Sequence, residues 1–435
     1  MTVLVGTHPI FLDHDTGEGH PERPSRMTAV TKGMQTSELG EALVTFEPRP
    51  AERDELSRVH PINYIDALER FCRAGGGNLD PDTPVVPASW DAALRAAGAG
   101  LDAIERLRRG EADAAFCAVR PPGHHATPTR AMGFCLFNNV AVSAAALAAA
   151  GERVLIVDYD AHHGNGTQEA FYRDPNVLFV SLHQYPLYPG TGGLRETGQG
   201  DGLGTTVNFP LPAGATGDVY RRALEEVVVP LAERWGPTWV LVSAGFDGHR
   251  DDPITELGLA AGDYADLTAT VTGLVPAGRR LVFLEGGYDL WAVVRSTAAC
   301  LGAPAGESIR PEPATNGGPG DEVVDAVARL HLGRAESGPD ARRVAGRGAV
   351  QPPGRAPSRR ARSTSTAGNG VLLSSGSSSR LSTRNPVRTS AVNTSSMVWP
   401  WSIPWCSPTC HPSGRVAPAA TARVGCGRLR MIGAS

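Results

Sequence analysis

Apolar residues fall into two alternating textures along this chain. Short runs dominated by Val, Ile, Leu and Phe recur as VLVGT near the start, AAFCAV at 114–119, RVLIVD at 153–158, VLFVSL at 177–182, TWVLVSAG at 238–245 and RLVFLEG at 280–286. Each is apolar at consecutive positions instead of alternate ones, the mark of strands buried on both faces. Between them lie stretches with helical spacing at 89–110, 138–151 and 218–236, and DEVVDAVARLHLG at 321–333 predicts a last helix packed on the domain. Strands alternating with helices predict an α/β fold: an open, mostly parallel, doubly wound sheet covered on both faces.

That texture stops near residue 335. Residues 336–435 are rich in Ser, Arg, Gly, Pro and Thr without sustained periodicity, so they cannot bury enough apolar surface to offset chain entropy. The expected organisation is a catalytic domain over 1–335 and a disordered tail over 336–435. The tail holds WPWSIPW at 399–405 and a Cys406, Cys410, His411 group that lacks the second half of a tetrahedral metal site. It also has no acidic residue after Asp340, against 14 arginines from Arg342 to Arg430. An out-of-frame or nonfunctional extension would look the same.

The charge split changes the picture of the core. The whole chain is near −4, but the part before the tail carries 27 basic against 45 acidic residues, close to −18. Such a field favours cationic substrates and divalent metals and disfavours nucleic acid as a partner of the core. No basic leader precedes the first apolar stretch, and no run approaches the ~18 apolar residues of a membrane span. Seven scattered cysteines, an odd number, fit reduced thiols better than a disulfide framework. The expectation is a cytoplasmic protein without a membrane partner, its oligomeric state left open.

Open α/β sheets bind ligands beyond the carboxyl ends of their strands, so polar residues just after each apolar run are the candidates. Four runs end that way. They contribute His124 and His125; Asp158, Asp160, His162, His163 and Asn165; Asp247; and Tyr288. Residues i and i+2 of an extended segment point to one side, which lets Asp160 and His162 reach a common point, with Asp247 as the best-placed third ligand. Two carboxylates and an imidazole leave a coordination position open, as a catalytic metal site requires. The histidine pair then handles protons and the Tyr288 hydroxyl serves a developing oxyanion.

At these residues the sequence resembles the histone deacetylase superfamily, especially its class II-like bacterial members, over roughly residues 1–310. The motifs HPERPSR at 20–26, RPPGHHA at 120–126, GFCLFNN at 133–139, DYDAHHGNGTQ at 158–168, SLHQYPLYPGTG at 181–192, AGFDGHRDDP at 244–253 and EGGYD at 285–289 occur in family order. The resemblance implies an arginase/deacetylase sheet with Zn2+, or Fe2+, on Asp160, His162 and Asp247. It implies His125 as general base oriented by Asn165, His124 paired with Asp158, and Tyr288 at the oxyanion. Gly133, Phe134, Tyr188 and Gly286 would border the substrate's methylene stem, with Ile254 at the gate, and Arg26 would sit near an acetate exit. A structural K+ would be held by Asp158, Asp160, His162, Ser181 and Leu182.

The implied substrate is an acetylated lysine. An acetylated polyamine is the alternative, because Asp80, Asp82 or Glu256 could serve a distal ammonium, although the apolar Ile254 argues against it. Two remoter readings are a binuclear arginase-like hydrolase, for which His163, Gly164 and Asn165 offer no extra carboxylate, and an inactive acetyl-lysine binder, for which every catalytic position is too well filled.

Overall fold

The computed structural model describes residues 1–333; the readings made for the tail, including Cys406, Cys410, His411 and the 399–405 segment, lie outside the described residues. Eight strands form the main sheet: β1 (Val3–Gly6), β2 (Leu43–Phe46), β3 (Ala114–Cys117), β4 (Val154–Asp158), β5 (Val177–Gln184), β6 (Thr206–Leu211), β7 (Trp239–Ala244) and β8 (Arg280–Leu284). Their spatial order is β2-β1-β3-β8-β7-β4-β5-β6, and every neighbouring pair is parallel. The six runs read from the sequence are six of these strands, and the α/β class holds.

The two strands missing from the sequence reading are the two edges. β2 is exposed at its centre, with Val44 45% accessible, so LVTF shows no continuous apolar run bounded by turns. β6 contains Pro210, which lacks the N–H a central strand must donate and is tolerated at an edge. The inner strands β3, β4, β5 and β7 are buried throughout, and they carry large side chains such as Phe116, Phe179 and Trp239. Each contributes roughly 1.5–3 kcal/mol on burial.

Helices cover both faces. α1 (Ser25–Thr36), α2 (Pro87–Arg108), α3 (Asn139–Ala149), α4 (Asn165–Phe171), α5 (Gly217–Ala223), α6 (Val229–Trp235), α7 (Ala261–Thr272), α8 (Leu290–Ala305) and α9 (Asp321–Leu332) are the ones that matter here. The single helix expected over 218–236 is interrupted by a π-helical turn, Leu224–Val228. Pro230 explains it: without an N–H, and with its ring pressing on the preceding turn, it is accommodated by widening the helix. Among the described residues no helix is long and apolar enough to cross a membrane. Cys72, Cys117, Cys135 and Cys300 are free and buried.

Several histidines are buried neutral in this core. Burial pushes His14 and His60 down to about 4, only partly opposed by Glu22 for His14 and by main-chain carbonyls for His60. His60 accepts a bond from the Asn138 N–H (2.9 Å) and stacks on Tyr64. Because the folded value lies below the unfolded one of ~6.5, the unfolded chain binds more protons, and stability present above pH ~6.5 is lost as pH falls toward 4. Each such group removes on the order of 3 kcal/mol across that window. Denaturant unfolding between about pH 7 and pH 4.5 is expected to show the decline, and His60→Gln to make it shallower by close to one proton. Parallel profiles for variant and wild type would sink this account.

Candidate metal centre and catalytic site

The four strands whose ends carry chemistry, β3, β8, β7 and β4, are contiguous at the middle of the sheet. Their carboxyl ends therefore open onto one crevice. Following β4, Asp160 and His162 turn inward; following β7, Asp247 does the same. The three side chains offer ligating atoms that all lie within 4.8 Å of one another. His162 Nδ1 is 2.9 Å from Asp247 Oδ2 and 3.2 Å from Asp160 Oδ1. The outer oxygens are occupied by main-chain donors, Gly286 N–H to Asp160 (2.8 Å) and Ala161 N–H to Asp247 (2.8 Å), which fix the carboxylates' orientation.

This point attracts positive charge. Burial opposes the charged imidazole of His162, yet Asp247 and Asp160 drive it up to about 10. Burial and the neighbouring Asp160 raise Asp247. A proton alone answers the demand of two buried carboxylates poorly. A divalent ion on two oxygens and a neutral imidazole nitrogen answers it fully, so the donor set fits such an ion.

Beside the centre stand His124 and His125, their rings 4.0 Å apart. His124 Nδ1–H donates to Asp158 Oδ2 (3.0 Å), and its other nitrogen is 3.8 Å from Asp160. Burial lowers its affinity for a proton, but Asp160, Asp158 and Glu285 together raise it well above the usual range. His125 is driven the other way, by burial first and then by His124 and His162. Asn165 Nδ2 donates to the His125 carbonyl (3.4 Å), so Asn165 Oδ1 must accept from His125 Nδ1–H (2.8 Å). That leaves Nε2 of His125 as the basic nitrogen.

A cavity of 240 Å³ reaches this group, lined by His124, His125, His162, Gly133, Phe134, Tyr188, Gly286, Tyr288, Ile254 and Asp82 among others. Phe134 meets the Tyr288 ring edge to face at 5.8 Å, and Tyr188 meets His125 at 5.1 Å. Burial and Asp247 hold the Tyr288 phenol well above its ordinary value, keeping it a neutral donor. Asp80 and Glu256 are not brought in: Asp80 pairs with Arg130 (2.8 Å) and Glu256 accepts from Gln184 Nε2 (3.4 Å), both outside the cavity lining, so of the three acidic candidates only Asp82 faces it. Arg26, fully buried, lies 5.2 Å from the Tyr288 ring centroid. Asp158 and Ser181 are register partners on β4 and β5 beside the buried Leu182, and the Ser181 hydroxyl engages His183 (2.9 Å). Both nitrogens of His163 are taken, by Thr191 and Gln168.

Sequence reasoning missed two supporting residues, Glu22 and Glu285. Glu22 is a fully buried carboxylate held by Arg120 and by Arg26 (3.0 Å); burial opposes its charge, but Arg120 and Arg26 bring it down to about 2. Glu285 accepts the Gly123 N–H (2.7 Å) and the His124 N–H (3.2 Å) under the histidine pair, and burial raises it to about 7. Phe134 has φ +69 and Gly133 φ +54, placing both in the left-handed region inside a Met132–Cys135 turn. The motifs HPERPSR and EGGYD contained Glu22 and Glu285, but their partners are remote in sequence. A second His/Asp/Glu group, His249, Asp251 and Glu312, is an ion-pair strut: Glu312 bonds His249 (2.7 Å) and Arg250 (2.7 Å), while Arg295 holds Asp251 (2.8 Å). A larger hollow of 520 Å³ near Leu12, Met27 and Phe46 touches none of the catalytic candidates.

Comparison with known proteins agrees with this architecture. The histone deacetylase domain matches residues 20–303. A probable deacetylase of Archaeoglobus fulgidus is 40% identical over 296 residues, spanning 67% of this chain and 82% of that protein. A histone deacetylase-like amidohydrolase of Pseudomonas aeruginosa is 40% identical over 277 residues, 62% of this chain and 73% of its own. The crystal structure of the HDA15 HD domain superposes with a TM-score of 0.70 at 36% identity, covering 76% of this chain and 94% of the other. The chain belongs to the histone deacetylase family of hydrolases.

The turn at Gly133 generates a test. A Cβ there would stand 2.5 Å from His125 Cδ2 at a φ that disfavours any side chain. Gly133→Ala is expected to displace the imidazole and cut deacetylase kcat/KM by at least about 10-fold, a small misplacement being enough. Unchanged kcat/KM in a folded variant would show that this contact does not hold His125.

Proposed function

We propose that the chain is a metal-dependent amidohydrolase that removes the acetyl group from acetyl-lysine. The observation that carries this is the meeting of Asp160, His162 and Asp247 within 4.8 Å at the foot of a cavity that also presents His125 and Tyr288. When bound there, a divalent ion, Zn2+ by preference and Fe2+ as the alternative, supplies Lewis acidity toward the amide oxygen and a water acidified toward pKa ~7.

The chain's own residues do the rest. Neutral His125 receives the attacking water's proton on Nε2, its tautomer set by Asn165, and returns a proton to the departing amine. His124, charged between Asp158 and Asp160, acts on the developing charge electrostatically. The Tyr288 hydroxyl donates to the oxyanion as the carbonyl carbon becomes tetrahedral. Phe134 and Tyr188 flank a stem of methylene groups and exclude water. Gly286 lines the same cavity, and a Cβ there would meet Asp247 Oδ2 at 2.4 Å, so glycine leaves that carboxylate its place. Arg26 would steer the acetate product.

A structural K+ is part of the proposal, on Asp158, Asp160, Ser181 and the carbonyls of His162 and Leu182. Burial raises Asp158 to about 6 even with His124 opposing, so a hard cation there would offset its desolvation. A cytoplasmic setting is supported by the four buried free thiols, although a relative from rice, 38% identical, is named as chloroplastic. The catalytic unit is taken as 1–335.

Polyamine deacetylation is the second reading, favoured only by Asp82 in the cavity lining; Ile254, apolar and 36% exposed at the mouth, favours lysine. Turnover of an acetyl-lysine peptide is expected to exceed that of acetylspermidine and acetylputrescine, and a strong polyamine preference overturns the choice. Tyr288→Phe should reduce kcat by at least ~10²-fold, and an unaffected rate removes that hydroxyl from the mechanism. Metal analysis should find one catalytic divalent ion per chain, with activity lost to chelators and restored by zinc; two catalytic ions would contradict the site.

A further inference from the structure

Tyr288 sits on a five-residue loop, Glu285–Asp289, whose main-chain groups are held from several sides. Arg26 Nε donates to the Gly287 carbonyl (2.6 Å), the Phe246 N–H to the Gly286 carbonyl (3.0 Å), and the Gly286 N–H to Asp160 (2.8 Å). The Tyr288 N–H itself goes to Asp252 Oδ2 (2.7 Å), which also accepts from the Asp289 N–H (3.3 Å). The other oxygen, Oδ1, accepts from the Ile254 N–H (3.2 Å).

Asp252 is 6% exposed, and among the described residues no Lys or Arg side chain pairs with it. A buried carboxylate without a cation is costly to keep, and one whose two oxygens accept N–H bonds from its own loop and from the loop carrying Tyr288 has a geometric task. One loop carries Tyr288 and the other carries Ile254 at the cavity mouth.

We propose that Asp252 is a positioning residue for the deacetylation reaction. By accepting main-chain N–H bonds from Tyr288 and Ile254, it fixes the phenol and the mouth of the cavity relative to each other. The inference rests on the function proposed above. Asp252 touches no reacting atom; it acts through the placement of Tyr288, and a displacement of about 1 Å at such a group is enough to lower rate by ~10²-fold. The strut of His249, Glu312 and Arg250 buttresses the same loop from outside, and the Asp252 N–H bonds the His249 carbonyl (2.8 Å).

The test uses the full chain with Asp252→Asn and, as a variant that keeps the charge, Asp252→Glu. Asparagine keeps the size but offers one acceptor oxygen where two are used, and glutamate shifts both oxygens by a methylene. Each is expected to lower kcat by about 10- to 100-fold with KM within about threefold and metal content unchanged. In a Tyr288→Phe background neither should cause a further loss, because the hydroxyl being positioned is gone. Losses that multiply with Tyr288→Phe, an unchanged kcat, or a loss explained by missing metal would overturn the proposal. Amide hydrogen exchange separates this from the function itself. If wild type hydrolyses neither acetyl-lysine peptides nor acetylpolyamines, the functional reading fails. Asp252 is then judged by the Tyr288 and Ile254 amides: faster exchange in either variant supports it and unaltered exchange refutes it.

Discussion

Two carboxylates buried within 4.8 Å of each other cannot both remain ionised in a protein interior without positive charge between them. Asp160 and Asp247 impose this constraint, and much of the surrounding structure answers it. His162 supplies one partner. His124, itself flanked by Asp158 and Glu285, supplies another on the far side of Asp160. Main-chain N–H groups of Ala161, His162 and Gly286 take up remaining oxygens. Small residues make these approaches feasible: a Cβ on Gly245 would lie 2.0 Å from Asp160 Oδ2, and one on Gly286 2.7 Å from it. The glycines next to the centre thus serve electrostatics, since any side chain would separate the donors from the charge they stabilise.

The same crowding divides labour between chemically identical side chains. His124 and His125 are adjacent in sequence with rings 4.0 Å apart, yet carboxylates dominate around one, while at the other burial and two imidazoles outweigh Asp160. A cation on His124 makes a second cation on His125 expensive, so the pair carries one proton in preference to two. Asn165 matters because it is neutral: it fixes the ring's tautomer without adding a charge that would keep His125 protonated. In the proposed reaction an acid–base group must start as a free base, and the neighbourhood favours that state by lowering the proton affinity of His125.

How much of this could be read from the chain follows from range. Consecutive apolar positions exposed the six inner strands, and the residues just after them named the convergent groups, because strand ends and chemistry are local features of a parallel sheet. That β3, β8, β7 and β4 are neighbours is not local. It depends on the chain crossing to build β4, β5 and β6 before returning to insert β7 and β8 in the middle. The edges β2 and β6 were missed because exposure and Pro210 blur the apolar signal there. Asp80 and Asp82, two residues apart, could not be ranked until the fold turned one onto Arg130 and the other into the cavity.

Residues whose work is to hold other residues were the least visible. Glu22 binds Arg120, 98 positions away, and Glu285 binds the backbone of Gly123, 162 positions away. Neither distance leaves a periodicity or a spacing. Both carboxylates are buried, however, and a buried carboxylate must be repaid by specific donors or be lost to neutralisation. Glu22 meets that condition with two arginines, one of which, Arg26, then reaches the carbonyls on either side of Gly286. The support of Tyr288 thereby extends from the N-terminal HPERPSR segment to the last strand of the sheet. A site assembled from four strand ends stays in register because charges from outside those strands tie the loops together.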